Sequence, residues 1–148
     1  FQIPVQSDCA PLNALVESIM EYGEYIHCLR DPTRGGLATT LNELAGQSGT
    51  GMVIYEDALP VKDAVRSACD MLGLDPVYVA NEGKMVVIAA PEKADLILEV
   101  MRSHKYGRES AVIGEVTAKN PGRVIMKTLL GASRIIDMLS GELLPRIC

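Results

Sequence analysis

Three places in this chain of 148 residues hold side chains that can do chemistry, and the last residue is the most unusual of them. Cys148 ends the segment Glu142-Leu143-Leu144-Pro145-Arg146-Ile147-Cys148, beside the terminal carboxylate. Three residues past Pro145 reach roughly 10 Å from the point where such an arm leaves its fold. Pro145 removes a backbone donor and stiffens the base of the arm, and Arg146 gives it a fixed positive charge. A segment of this kind is suited to carry a sulfur nucleophile into another site and to withdraw it. The same residues also fit a frayed end that happens to finish in cysteine. The residues alone leave both readings open.

The second place is Arg30-Asp31-Pro32-Thr33-Arg34-Gly35-Gly36. It runs from a short apolar piece, Ile26 to Leu29, into Leu37, Leu41, Leu44 and Ala45 at helical spacing. Strand, glycine loop and helix N-terminus together make an anion cradle, with phosphate the usual guest. Thr33 is placed to cap the helix, Gly35 and Gly36 to offer bare amides, and Arg34 to add a bidentate contact. The plainer reading is a tight turn made by the glycine pair, and spacing does not choose between the two. The third place is Asn81-Glu82-Gly83-Lys84, a turn between apolar pieces with Gly83 where a positive φ is expected. Its carboxylate, Glu82, is either a base or a solvated turn residue.

The elements that must position these residues are legible in outline. Leu12, Leu15, Val16, Ile19 and Met20 predict a helix that Ser7-Asp8 leads into, Pro11 opens, and Tyr22-Gly23 ends. The helix after Gly36 should stop in the glycine-rich stretch from Gly46 to Gly51. Strands are expected over Met52 to Tyr55, Met85 to Ala90, Ala111 to Val116, Val124 to Met126 and Ile135-Ile136. Further helices are expected from Lys62 to Leu72, ended by Gly73, and from Lys93 to about His104, behind Pro91 and Glu92. Gly114 reads as a bulge and Gly131 as a turn. Helices alternate with strands early and strands dominate late, which predicts an α/β fold: a mixed sheet with helices packed on it.

Composition narrows the function classes. With 48% apolar and 22% charged residues the chain reads as a soluble globular domain, and its length lets it bury about two-thirds of its surface. One Phe and no Trp make the core aliphatic. A net charge of -5 without a Lys/Arg cluster argues against a general nucleic-acid binder. The longest apolar stretch, Met85 to Pro91, is too short to cross a membrane. Cysteines at 9, 28, 69 and 148 have no Cys-x-x-Cys spacing and only two histidines accompany them, so no metal site is expected. Reduced cytosolic thiols are the expectation, with Cys28 and Cys69 as small core hydrophobes and His27 structural. The chain opens with Phe1 and is expected to be part of a longer one.

At Asp31-Pro32-Thr33-Arg34-Gly35-Gly36-Leu37-Ala38, at Asn81-Glu82-Gly83-Lys84 and at Leu144-Pro145-Arg146-Ile147-Cys148, the chain resembles the HypE family of hydrogenase maturation proteins. That family lies in the aminoimidazole ribonucleotide synthetase superfamily. Ser7-Asp8-Cys9-Ala10-Pro11-Leu12 and Leu41-Asn42-Glu43-Leu44 fit it too, and the terminal Pro-Arg-Ile-Cys is the most specific element. The resemblance implies a C-terminal domain over residues 1–137, with the fold of the superfamily's C-terminal domains, and a flexible tail over 138–148. It implies an N-terminal domain outside this chain that supplies most of the ATP and Mg2+ site and the contacts of a homodimer.

The same resemblance implies a reaction. Cys148 accepts a carbamoyl group from the carbamoyltransferase HypF, and ATP then drives dehydration of the thiocarboxamide to a thiocyanate. The cyanide passes to iron on the HypC–HypD complex, as a ligand of a nickel–iron hydrogenase centre. Glu82 is implied as the base, while Asp31, Thr33, Arg34, Gly35 and Gly36 line the phosphate side of the cleft. The residue chemistry agrees. Sulfur attacks carbamoyl carbon well, although a thiol of ordinary pKa is only roughly a few per cent ionised near neutral pH and the adjacent carboxylate disfavours ionisation. A partly buried Glu has a raised pKa suited to proton transfer. The expected setting is cytoplasmic, without nucleic acid or membrane, and the isolated chain is expected to keep the acceptor thiol but lack ATPase activity.

Two rivals differ in what they ask of the sulfur. A superfamily synthetase acting on a free small molecule gives Cys148 no task, so its deletion leaves catalysis intact. A non-catalytic docking module uses only the tail's shape, so Cys148→Ser preserves binding.

Overall fold

The structure, a computed structural model, describes residues 6–139. Its helices form where apolar residues recur on one side, and two of them stop where glycine admits a left-handed turn. α1 (Asn13–Ile19) buries Leu15 and Ile19, then tightens into a 3₁₀ turn (Met20–Tyr25) in which Tyr22 leaves helical geometry. The α-helical run is therefore shorter than its spacing predicts. Leu12, not Ser7 or Asp8, stands at its N-cap. β1 (Ile26–Arg30) follows, then α2 (Gly36–Ser48), which ends at Gly49 with φ +66°. After β2 (Gly51–Tyr55) comes α3 (Asp63–Leu72), closed by Gly73 at φ +67° and by a bond from the Leu74 amide to the Cys69 carbonyl at 2.9 Å. A 3₁₀ turn (Pro76–Tyr78), β3 (Val86–Ala89) and α4 (Pro91–Ser103) lead to β4 (Gly114–Thr117), β5 (Val124–Lys127) and β6 (Ser133–Ile136).

The mixed sheet expected from the sequence is present, with strand order β4-β2-β5-β6. In it β2 runs antiparallel to β4 and parallel to β5, and β5 runs antiparallel to β6. The other two strands do not join it. β1 and β3 pair with each other as an antiparallel ribbon, irregular between Ile26 and Cys28. One face of the mixed sheet buries Met52, Ile54, Val124, Met126 and Ile136 together with Ala38, Leu41 and Ala45 of α2. Each large side chain buried this way contributes about 1.5–3 kcal/mol. α4 packs on α1 beside the β-ribbon. No described helix is long and apolar enough to cross a membrane.

Cys69 is buried as expected of a core residue, and burial pushes its thiol pKa up, with the charges of Asp70 and Asp75 adding to the rise. Cys28 is only half-buried, because it lies in the thin ribbon. Gly114 is not a bulge. It pairs regularly with Ile54 and is required to be small because the Val53 carbonyl lies where its Cβ would stand. Gly131 does make the turn of the β5–β6 hairpin, with φ +78°. The hairpin tip leaves Leu129 and Leu130 exposed at 67% and 95%.

Because β2 lies between β4 and β5, the chain joining those two must cross the start of β2. It does so at Lys119 and Asn120, whose carbonyls occupy the space beside Gly51, and the Gly122 amide bonds the Thr50 carbonyl at 2.8 Å. A methyl group at residue 51 would push this crossing away. Gly51→Ala is thus expected to lose about 1–3 kcal/mol, read from urea unfolding; an unshifted midpoint would show that the loop moves aside freely.

Candidate functional site

Gly36 has φ +61°, and a Cβ there would stand 2.7 Å from the Val77 carbonyl oxygen and 2.5 Å from that of Val79. The loop before α2 therefore lies directly on the 3₁₀ turn Pro76–Tyr78. That turn is itself pinned by Asp75, whose carboxylate accepts from the Val77 amide at 3.1 Å and pairs with Arg134 at 2.7 Å. Just beyond it, the Asn81 amide donates to the Pro32 carbonyl at 3.0 Å, and Asn81 Nδ2 donates to the Val79 carbonyl at 2.9 Å. The glycine loop and the 81–84 bend are neighbours through these bonds.

The loop does not have the form of an amide cradle. Gly35 and Gly36 are both buried, and the Gly36 amide donates to the Thr33 carbonyl at 3.0 Å. The N-cap of α2 is Gly35 at φ +74°, without a side-chain cap bond, so Thr33 does not cap. Thr39 Oγ1 fills the space that a Cβ on Gly35 would take, buried and without a hydrogen-bond partner among the described residues. The glycines are used for close packing here. What the loop turns to solvent is the Asp31 and Arg34 side chains, while Thr33 is half-buried. Arg30 is held apart by its 2.7 Å pair with Glu43.

The 81–84 bend is gripped from the N-terminal segment. Asp8 Oδ2 accepts from the Glu82 amide at 3.2 Å and from Lys84 Nζ at 3.1 Å. Between them, Gly83 lies against the Asp8 carbonyl, and a Cβ on it would stand 2.8 Å from the Ala10 amide nitrogen. Gly83 is therefore required by close approach and not by positive φ, which it does not have. Partial burial pushes the Asp8 carboxyl pKa up, yet the hydrogen bond and charge of Lys84 and the Glu82 amide leave it below its ordinary value. Glu82 is exposed, where partial burial was expected: the Asp8–Ala10 segment lies against Gly83 and the Glu82 amide and leaves the Glu82 side chain in solvent. Among the described residues its carboxylate has no hydrogen-bond or ion-pair partner. Asp8 is the residue that spacing missed: its partners lie 74 and 76 positions away.

Cys148 and residues 140–148 of the expected tail lie outside the described residues. The point from which the tail starts is fixed. Asn42 Nδ2 donates to the Ile136 carbonyl at 2.9 Å, and the Tyr78 hydroxyl donates to the Asp137 carbonyl at 3.1 Å. The chain thus leaves β6 against α2 and the same 3₁₀ turn that supports the loop.

Residues 6–127 match the family described as AIR synthase related protein, C-terminal domain. A carbamoyl dehydratase HypE of Azotobacter vinelandii is 54% identical over 148 residues, covering all of this chain and 43% of the relative. The chain spans less than half the length of the curated relatives it matches. A solved HypE in complex with ATP superposes with a TM-score of 0.90 at 48% identity, over 98% of this chain and 44% of the other. A solved HypE–HypF complex superposes with a TM-score of 0.89 at 48% identity, over 94% of this chain and 45% of the other.

The Asp8–Lys84 pair gives a pH test. A carboxyl with a lowered folded-state pKa contributes stability that is complete above about pH 4 and is lost as pH falls through the folded value. Both partners are partly exposed, so Lys84→Met is expected to cost at most about 1 kcal/mol near neutral pH. The cost should shrink as pH is lowered below the ordinary carboxyl value of about 4, as Asp8 takes up its proton. Urea unfolding at neutral and at acid pH measures it, and a gap that does not narrow would place its source elsewhere.

Proposed function

We propose, from the premise that the chain belongs to the AIR synthase related protein, C-terminal domain family, that it is the C-terminal part of a HypE-type carbamoyl dehydratase. The observation that carries the reading is the hydrogen bond from the Asn81 amide to the Pro32 carbonyl. It joins the bend bearing Glu82 to the loop bearing Asp31 and Arg34. The solved HypE structures with ATP and with HypF support the same reading.

In this proposal Cys148 is the carrier. Its sulfur attacks a carbamoyl carbon presented by a HypF-type carbamoyltransferase, the donor's bond to that carbon breaks, and the thiol proton leaves to a base. ATP supplies the phosphoryl group that makes the amide oxygen a leaving group. With ADP released, Glu82 takes one of the nitrogen's two protons and the departing phosphate carries the other, as the carbon–nitrogen bond becomes triple and the carbon–oxygen bond breaks. Arg34 is the loop residue placed to hold a phosphate through a bidentate contact, and Asp31 is the one suited to Mg2+. Thr33, Gly35 and Gly36 shape the loop on which those two stand. The exposed Glu82 needs a cover that keeps water from the proton transfer, and the remaining length of the full protein is the source of it.

The rest of the pathway follows from the same reading. Most of the ATP and Mg2+ site belongs to the other domain, the full protein is a cytoplasmic homodimer, and the cyanide goes to iron on a HypC–HypD-type complex.

Intact mass and peptide mapping after incubation with the carbamoyltransferase, carbamoyl phosphate and ATP test the carrier role. One carbamoyl group on Cys148 and none on Cys148→Ser is the expected outcome. In the full-length protein Glu82→Gln should still accept carbamoyl while losing about a hundredfold or more in the ATP-dependent conversion. A protein that is never modified would favour the docking-module reading, and catalysis that survives deletion of Cys148 would favour a synthetase acting on a free small molecule.

A further inference from the structure

We propose that Asp8 is a positioning residue for the reaction, a clamp that aims the Glu82 carboxylate. The proposal rests on the reading of Glu82 as the base. Glu82 has no side-chain partner among the described residues, so its direction is set by the backbone that bears it. That backbone is fixed at two points. On one side the Asn81 amide is tied to Pro32. On the other, a single oxygen, Asp8 Oδ2, accepts from the Glu82 amide and from Lys84 Nζ, spanning Gly83.

The Asp8 backbone closes the grip, since its carbonyl lies against Gly83 where any side chain would collide. Asp8 does not serve as the N-cap of α1, which is Leu12, so helix capping does not account for its carboxylate. Both bonds are charge-assisted, the stronger class of hydrogen bond. Without the carboxylate the bend keeps its anchor at Pro32 and can pivot about Asn81, carrying the base away from the nitrogen it must deprotonate. Catalytic geometry is sensitive to displacements of about 1 Å, which cost on the order of a hundredfold.

The experiment uses the full-length protein, carbamoylated on Cys148, and follows single-turnover conversion to thiocyanate with saturating ATP. Asp8→Ala is expected to slow this step by about ten- to a hundredfold. The rate of carbamoyl acceptance and the KM for ATP should stay within about twofold of wild type, since neither uses the clamp. Asp8→Asn keeps an oxygen for the Glu82 amide and loses only the ion pair, so it should recover most of the rate, to within about fivefold of wild type. Hydrogen exchange in the peptide spanning 81–84 should rise in Asp8→Ala and fall back in Asp8→Asn. If Asp8→Ala does not fold, Asp8→Ser, whose hydroxyl is too short to reach the bend, takes its place.

The clamp is overturned if Asp8→Ala converts at the wild-type rate while Glu82→Gln is slow. It is equally overturned if acceptance and conversion fall in parallel, or if Asp8→Asn is as slow as Asp8→Ala. A Glu82→Gln protein that converts at the wild-type rate removes the base reading itself, and the clamp with it, which separates that failure from failure of the clamp alone.

Discussion

Much of this structure depends on one contact that only glycine permits. Gly36 lies at φ +61° against the carbonyls of Val77 and Val79, and there is no room for a side chain. Through it the start of α2 meets the 3₁₀ turn Pro76–Tyr78. Once the two are in register, the Asn81–Pro32 bond forms at one end. The same pair of elements holds the end of β6 through Asn42 and Tyr78. The loop, the bend and the base of the tail are therefore one mechanical unit. A glycine in a strained position costs roughly 1 kcal/mol in chain entropy, and burial of the surrounding aliphatic residues more than offsets it.

This arrangement divides labour between backbone and side chains. Backbone groups of the loop and bend are largely consumed in holding each other: Gly36 to Thr33, Asn81 to Pro32, Glu82 to Asp8. Side chains at Asp31, Arg34 and Glu82 are left facing solvent. In a phosphate-binding loop of the usual kind the amides themselves face the anion. Here the two glycines are turned inward, and in the proposed reaction the loop meets an anion through the exposed Arg34 guanidinium.

How much of this could be read from the sequence varies with the range of the interaction. α2 and α3 were legible because their apolar residues recur with the helical period and a glycine follows each. The strands were legible as apolar runs, but short runs carry no record of their partner, so the separation of β1 and β3 from the main sheet was not. Glycines were identified correctly as special and often for the wrong cause. Gly83, Gly114 and Gly51 are needed for close backbone approach, which depends on a distant segment, whereas Gly49, Gly73 and Gly131 serve a local turn. Asp8 looked like a helix leader because sequence neighbours suggest local roles, and its partners lie across the fold. The exposure of Glu82 depends on what lies above it, and spacing holds no trace of that.

The crossing over β2 also bears on how the domain is made. β2 supplies Met52 and Ile54 to the core, yet both strands that flank it come from residues 114–127. A nascent chain that has emerged only as far as α4 therefore carries an apolar strand with two open edges. Such edges invite pairing with other chains until their own partners arrive. The high contact order of this sheet makes its closure slow relative to helix formation. Biosynthesis of the domain thus passes through an interval in which β2 has been made but neither of its sheet partners has.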